Sequence, residues 1–245
     1  MKILGVIPSR YASSRFPAKP LASIGNKTMV QMVYAQAKKS SLLDEVYIAT
    51  DHQLIEAHIK GFGGNVMMTS ENHRNGTERI FEVVSRISEE YDAIVNIQGD
   101  EPFIQPEQID MLCEAISQPK VDIATLAKKI DIEEDLFNPD VVKVIFNDNQ
   151  KALYFSRQAI PYFRSEEKKD WIESFDYYKH IGLYAYKTQV LKDLIELAPS
   201  RLEQAESLEQ LRWLEAGYNI YIRETKLESF GIDRPEDIEK ALKQL

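Results

Sequence analysis

The sequence predicts an α/β fold: a doubly wound, mostly parallel sheet with a smaller antiparallel lobe. Three observations predict it. Strand-like and helix-like segments alternate through the first 120 residues, as parallel strands joined by helices require. "AIVNIQ" (residues 93–98) is apolar over most of its length, the mark of a strand buried on both faces. In the second half, "VVKVIFN" and "KALYFS" flank the turn-like "DNQ", a pattern of antiparallel strands.

The N-terminal "MKILGVIPSR" reads as the first strand, its apolar run being too short for a signal peptide's core and cleavage site. Residues 29–39 follow as a helix, "EVYIAT" as a strand, residues 53–60 as a helix and "NVMMT" as a strand. Ile80, Val83, Val84 and Ile87 recur at helical spacing and predict an amphipathic helix. Cys113 lies on the apolar stripe Ile109, Leu112, Cys113, Ile116 and reads as core. "KHIGLYAYK" adds a third antiparallel strand beyond a charged loop at 164–170. Helical patterns return at 190–197, 203–215 and 235–245. Without repeats, low-complexity tracts or an obvious linker, residues 1–245 read as one domain with an antiparallel lobe at roughly 141–187.

Composition narrows the function. The net charge of −9 argues against general attraction to nucleic acid or to an anionic membrane surface. One cysteine allows no disulfide framework and suits the cytoplasm, and no apolar stretch approaches the roughly 20 residues that span a bilayer. His52, His58, His73 and His180 lack metal-ligand spacing, and His52 and His58 read as positions on an exposed helix. No Walker A or G-x-S-x-G motif occurs, and "GFGGN" reads as a helix end and a turn.

Against that negative total, the stretch from Ser9 to Lys27 gathers Arg10, Arg15 and Lys19, stiffened by Pro17 and Pro20, with hydroxyls at Ser13 and Ser14. A loop of that length suits either a polyphosphate-wrapping role or a solvated surface. In "NIQGDEP", Asp100 follows a buried strand and fits two roles, a turn-closing side chain or a ligand of a hard cation such as Mg²⁺. Asp233, two residues before Pro235, reads locally as the N-terminal cap of the final helix.

"IPSRYASSRFPAKPL", "NGTERI", "VNIQGDEP", "ALYFSR", "KHIGLYAY", "LEQLRWLEAG" and "GIDRPEDIE" stand in an order and spacing that resemble the 3-deoxy-manno-octulosonate (Kdo) cytidylyltransferase family of lipopolysaccharide biosynthesis. The resemblance implies a nucleotidyltransferase-like fold and attack of the Kdo anomeric hydroxyl on the α-phosphorus of CTP, giving CMP-Kdo and pyrophosphate. It further implies that Arg10 and Lys19 bind the triphosphate with Ser13 and Arg15 assisting, that Gly76, Thr77 and Arg79 hold the nucleotide, and that Gln98 lies beside the reaction centre. Asp100 and Asp233 match the family's Mg²⁺ ligands. Arg157, His180, Tyr184, Glu209 and Gln210 match positions lining the Kdo pocket, and the family commonly forms homodimers. Related reactions on sialic acid or 8-amino-Kdo, and a non-catalytic nucleotide sensor, stand as alternatives. Two departures are visible: Ser9 and Ala18 stand where the family usually has alanine and glycine. A glycine beside the phosphate-binding lysine suits positive φ, which alanine adopts only at a cost.

Overall fold

The computed structural model describes residues 1–12, 16–228 and 230–243. The chain forms two compact units, residues 1–113 with 228–245, and residues 114–227.

In the first unit β1 (Ile3–Ser9) is followed by the short strands β2 (Ser23–Ile24) and β3 (Lys27–Thr28), then α1 (Met29–Ala37), β4 (Glu45–Thr50), α2 (Gln53–Gly61), β5 (Val66–Met68), α3 (Gly76–Arg86), β6 (Ala93–Asn96) and α4 (Pro106–Ile116). β1 lies between β6 and β4, with β5 beyond β4, all parallel. Leu4, Val6 and Ile7 are wholly buried, which explains a first strand that is apolar on successive residues rather than alternate ones. Helices α1, α2 and α3 start where side chains satisfy their first free N–H groups. Thr28 accepts from the Gln31 N–H, and Asn75 accepts from the Glu78 N–H at 2.9 Å. His52 caps α2 through Nδ1 and stacks on Tyr11, while His58 bonds Thr28; the pair does not form the exposed helical surface expected of it. Cys113 is buried.

The second unit contains β7 (Ile123–Lys129), α5 (Glu133–Phe137), β8 (Lys143–Phe146), β9 (Ala152–Ser156), α6 (Trp171–Ser174), β10 (Tyr178–Lys187), α7 (Thr188–Ile195), α8 (Arg201–Glu206), α9 (Gln210–Glu215) and β11 (Ile220–Glu224). β7 pairs parallel with β11 and antiparallel with β10; β8 pairs antiparallel with β9 and β10. The single helix expected over 203–215 is two helices, because Ser207 adopts a left-handed conformation at φ 52° that ends α8. The last helix, α10 (Asp237–Leu242), belongs to the first unit. It starts later than the sequence pattern suggests, so Asp233 is not its cap residue. Instead the Asp237 carboxylate accepts from the N–H groups of Asp233 and Arg234 at 3.1 and 3.0 Å.

Lys143 is wholly buried, yet its ammonium is fully used. It donates to the carbonyls of Asn138, Val141 and Arg157 at 2.8, 2.6 and 2.6 Å. Burial, then the nearby Arg157 charge, push its pKa from 10.5 down to about 8. Lys143→Met should lower stability by about 3 kcal/mol, since three partly buried carbonyls lose their donor. The unfolded chain holds more protons than the folded one between pH 8 and 10.5, so the native protein gains stability across that window and the variant lacks this gain. Urea titrations of both proteins at pH 7.5 and 10 test this, and a constant difference between them would refute it.

Candidate active site

The carboxyl ends of β1 and β6 and the start of α3 border a cavity of about 430 Å³ in the first unit. Its lining includes Ser9, Arg10, Lys19, Gly76, Arg79, Gln98, Asp100 and Asp233. Gly99 makes this convergence possible. A Cβ at that position would lie 2.7 Å from the Pro8 carbonyl oxygen, so only glycine lets the turn after β6 press against the end of β1.

Lys19 is the centre of the cavity's charge. Its ammonium donates to Asp100 Oδ2 at 2.7 Å, the Ile232 carbonyl at 2.9 Å and Asp233 Oδ1 at 3.4 Å. Two carboxylates far apart in sequence therefore share one cation. Their oxygens suit a hard divalent ion, which commonly takes one or two carboxylates and completes its shell with substrate phosphate and water. Among the described residues no group of three or more His, Cys, Asp or Glu gathers for a metal.

Lys19 reaches this position through Ala18, which is left-handed at φ 55° and ψ 25°. The Ala18 N–H donates to the Tyr11 carbonyl at 3.0 Å, and its carbonyl accepts from Leu21 at 2.9 Å, so the strained residue is held from both sides. Arg10 is exposed at the rim. Ser13 and Arg15 lie outside the described residues.

The start of α3 contributes differently from expectation. Gly76 lines the cavity, with His73, Arg74 and Asn75 before it, none of which had been assigned a site role from the sequence. The Thr77 side chain is buried and is not among the lining residues. Arg79 is buried, and its guanidinium donates to Asp51 Oδ2 at 2.9 Å and Thr69 Oγ1 at 2.6 Å, so it braces the wall. Asp51 also accepts from the Tyr11 N–H, tying the loop after β1 to the same brace. Glu78 and Glu82 hold the segment before α3. Burial raises their pKa values, but hydrogen bonds from Arg74 to Glu78, and from Ser70, His73 and Arg86 to Glu82, outweigh it and keep both below 4.5.

The residues matched to a sugar pocket all lie in the second unit. Arg157 is half-buried; its Nε donates to the Glu206 carbonyl at 2.8 Å and its Nη1 to the Pro139 carbonyl at 3.0 Å. The Glu206 carboxylate accepts from the Arg157 N–H and the Ser156 hydroxyl. His180 Nε2 bonds Thr125 Oγ1 at 2.9 Å, and burial depresses its pKa to about 3, so the ring is neutral at physiological pH. Tyr184 packs beside it and against Trp213, and burial raises its pKa well above 10. Glu209 accepts from Arg212 at 2.7 Å, and Gln210 is buried at the start of α9. His180 and Tyr184 share an aromatic cluster, whereas Arg157 is fixed separately by the end of α8.

The cytidylyltransferase family profile matches residues 4–227. A 3-deoxy-manno-octulosonate cytidylyltransferase from Parabacteroides distasonis is 54% identical, covering 99% of this chain and 97% of the relative. The chain belongs to the 3-deoxy-manno-octulosonate cytidylyltransferase family. A family member from Bacteroides thetaiotaomicron is 52% identical over 98% of this chain and 97% of its own. A solved CMP:2-keto-3-deoxy-manno-octonic acid synthetase complexed with CTP superposes with a TM-score of 0.93 at 41% identity, covering 100% of this chain and 98% of that one.

The left-handed Ala18 carries a measurable backbone strain. Ala18→Gly should stabilise the protein by about 1 kcal/mol, because relief of the left-handed cost exceeds the added entropy of the unfolded chain. For a chain of this length that is a rise in Tm of roughly 2–4 °C. A lower Tm in scanning calorimetry would show that the surrounding hydrogen bonds hold the alanine without strain.

Proposed function

We propose that this protein transfers CMP from CTP to the anomeric hydroxyl of Kdo, releasing pyrophosphate and forming CMP-Kdo. The observation that carries the proposal is one cavity in which Lys19, Asp100 and Asp233 meet, with Arg10 and Gln98 on its wall. The anomeric hydroxyl gives up its proton to solvent as its oxygen forms a bond to the α-phosphorus and the bond to the bridging oxygen breaks, and that electron pair leaves with pyrophosphate. Arg10 and Lys19 supply the positive charge that the leaving group needs. Lys19 already uses its three donors, so reaching a phosphate means releasing its longest bond, the 3.4 Å contact to Asp233.

Asp100 and Asp233 would hold Mg²⁺, which when bound polarises the α-phosphate and offsets charge on pyrophosphate. Gln98 is assigned to the reacting phosphate's surroundings. In the second unit, Arg157 presents its guanidinium to the Kdo carboxylate, a planar donor suited to an acid sugar. The neutral His180, with Tyr184, Glu209 and Gln210, is assigned to the rest of the sugar. We place the activity in the cytoplasm, feeding lipopolysaccharide synthesis; no helix among the described residues is long and apolar enough to cross a membrane. We further propose a homodimer formed through the second unit, where Tyr162 and Phe175 expose apolar surface.

Pyrophosphate release measured with each nucleoside triphosphate against Kdo, 8-amino-Kdo and sialic acid should be fastest with CTP and Kdo. Preference for sialic acid would overturn the substrate assignment, and tight CTP binding without release would favour a sensor. Lys19→Ala should reduce kcat by roughly 10²- to 10³-fold. Asp100→Asn and Asp233→Asn should each cost activity and raise the Mg²⁺ requirement while leaving Tm within a few degrees of wild type. Unchanged Mg²⁺ dependence in either variant would remove that residue from the metal site.

A further inference from the structure

Ser9 ends β1 beside the cavity and is only 2% exposed. Its hydroxyl has no hydrogen-bond partner in the protein. A buried polar group left unpaired costs about 1–3 kcal/mol, whereas alanine, the residue usual at this position in the resembling family, would fill the strand without that cost. The hydroxyl therefore lacks a structural reason in the ligand-free protein. Rotation about one bond moves it, and it can both donate and accept.

Its neighbours indicate what would partner it. On one side the Pro8 ring approaches Gly76 at the start of α3, where a Cβ would lie 3.3 Å from the proline Cγ. On the other side Arg10 opens the basic loop that runs to Lys19. Opposite, the Ser9 hydroxyl lies 3.1 Å from where a Cβ on Gly99 would be. The residue thus stands between the cationic wall suited to a polyphosphate and the wall formed by the start of α3. Resting on the cytidylyltransferase reading, we infer that Ser9 is a positioning residue whose hydroxyl donates to an oxygen of the ribose–α-phosphate segment of the bound nucleotide. It would hold the reacting phosphorus in place, and the cost of its unpaired state would be recovered only in the complex.

Calorimetric titration of wild type and Ser9→Ala with CMP, CTP and pyrophosphate tests this, alongside the ligand-free Tm. The variant should be at least as stable as wild type without ligand. It should bind CMP and CTP roughly tenfold more weakly, as expected for a hydrogen bond to a charged group, with pyrophosphate affinity unchanged. Equal CMP and CTP affinities in the two proteins would overturn the inference while leaving the cytidylyltransferase reading intact. An equal loss for pyrophosphate would overturn it too, by moving the hydroxyl's partner to the leaving group. Failure of the wild type itself to bind CMP or CTP would instead remove the cytidylyltransferase reading on which it rests.

Discussion

A single ammonium organises the candidate active site. Lys19 draws together Asp100, the Ile232 carbonyl and Asp233 from two distant parts of the chain. Two carboxylates against one lysine leave the cluster one negative charge in excess, which favours a further cation and resists an unaccompanied phosphate. The arrangement is therefore better suited to a nucleotide that arrives with its counter-ion than to a bare anion. Everything around it serves to place that nitrogen: the left-handed Ala18, the short turn at Lys19–Leu21, and the hydrogen bond from the Ile232 N–H to the Asp100 carbonyl.

The second unit uses a buried lysine in a different way. Lys143 neutralises no carboxylate; it gathers backbone carbonyls, including that of Arg157. Glu206 fixes the same arginine through its N–H and Nε. The guanidinium is thus restrained at both backbone and side chain, so little of its conformational freedom remains. Lys19 organises by charge, Lys143 by hydrogen-bond geometry.

Local patterns were legible in the sequence, and long-range pairings were not. β4 coincides with "EVYIAT" because a buried strand bounded by polar residues carries its own limits. Arg10, Lys19, Gly76, Arg79, Gln98, Asp100 and Asp233 could be selected by motif, and they line one cavity. β7 and β11 escaped notice because each is a short apolar run whose identity depends on its parallel partner. The break at Ser207 depends on a backbone conformation that helical periodicity does not reveal. Arg79 shows the same limit at the site. Its motif suggests ligand binding, while Asp51, which occupies its guanidinium, is 28 residues away and carries no local signal.

The C-terminal segment's return to the first unit has a consequence for synthesis. Asp233, Ile232 and α10 are made long after the strands of the first unit, yet they complete both the charged cluster and an apolar cluster with Ile24 and Met29. The sheet strands of the first unit can begin to fold long before those partners exist. A nascent or prematurely terminated chain would expose the Ile24–Met29 surface and hold Lys19 with only one of its two carboxylates. The Lys19 cluster therefore stays incomplete until residues 213 and 214 positions further along the chain have been made and have returned to it.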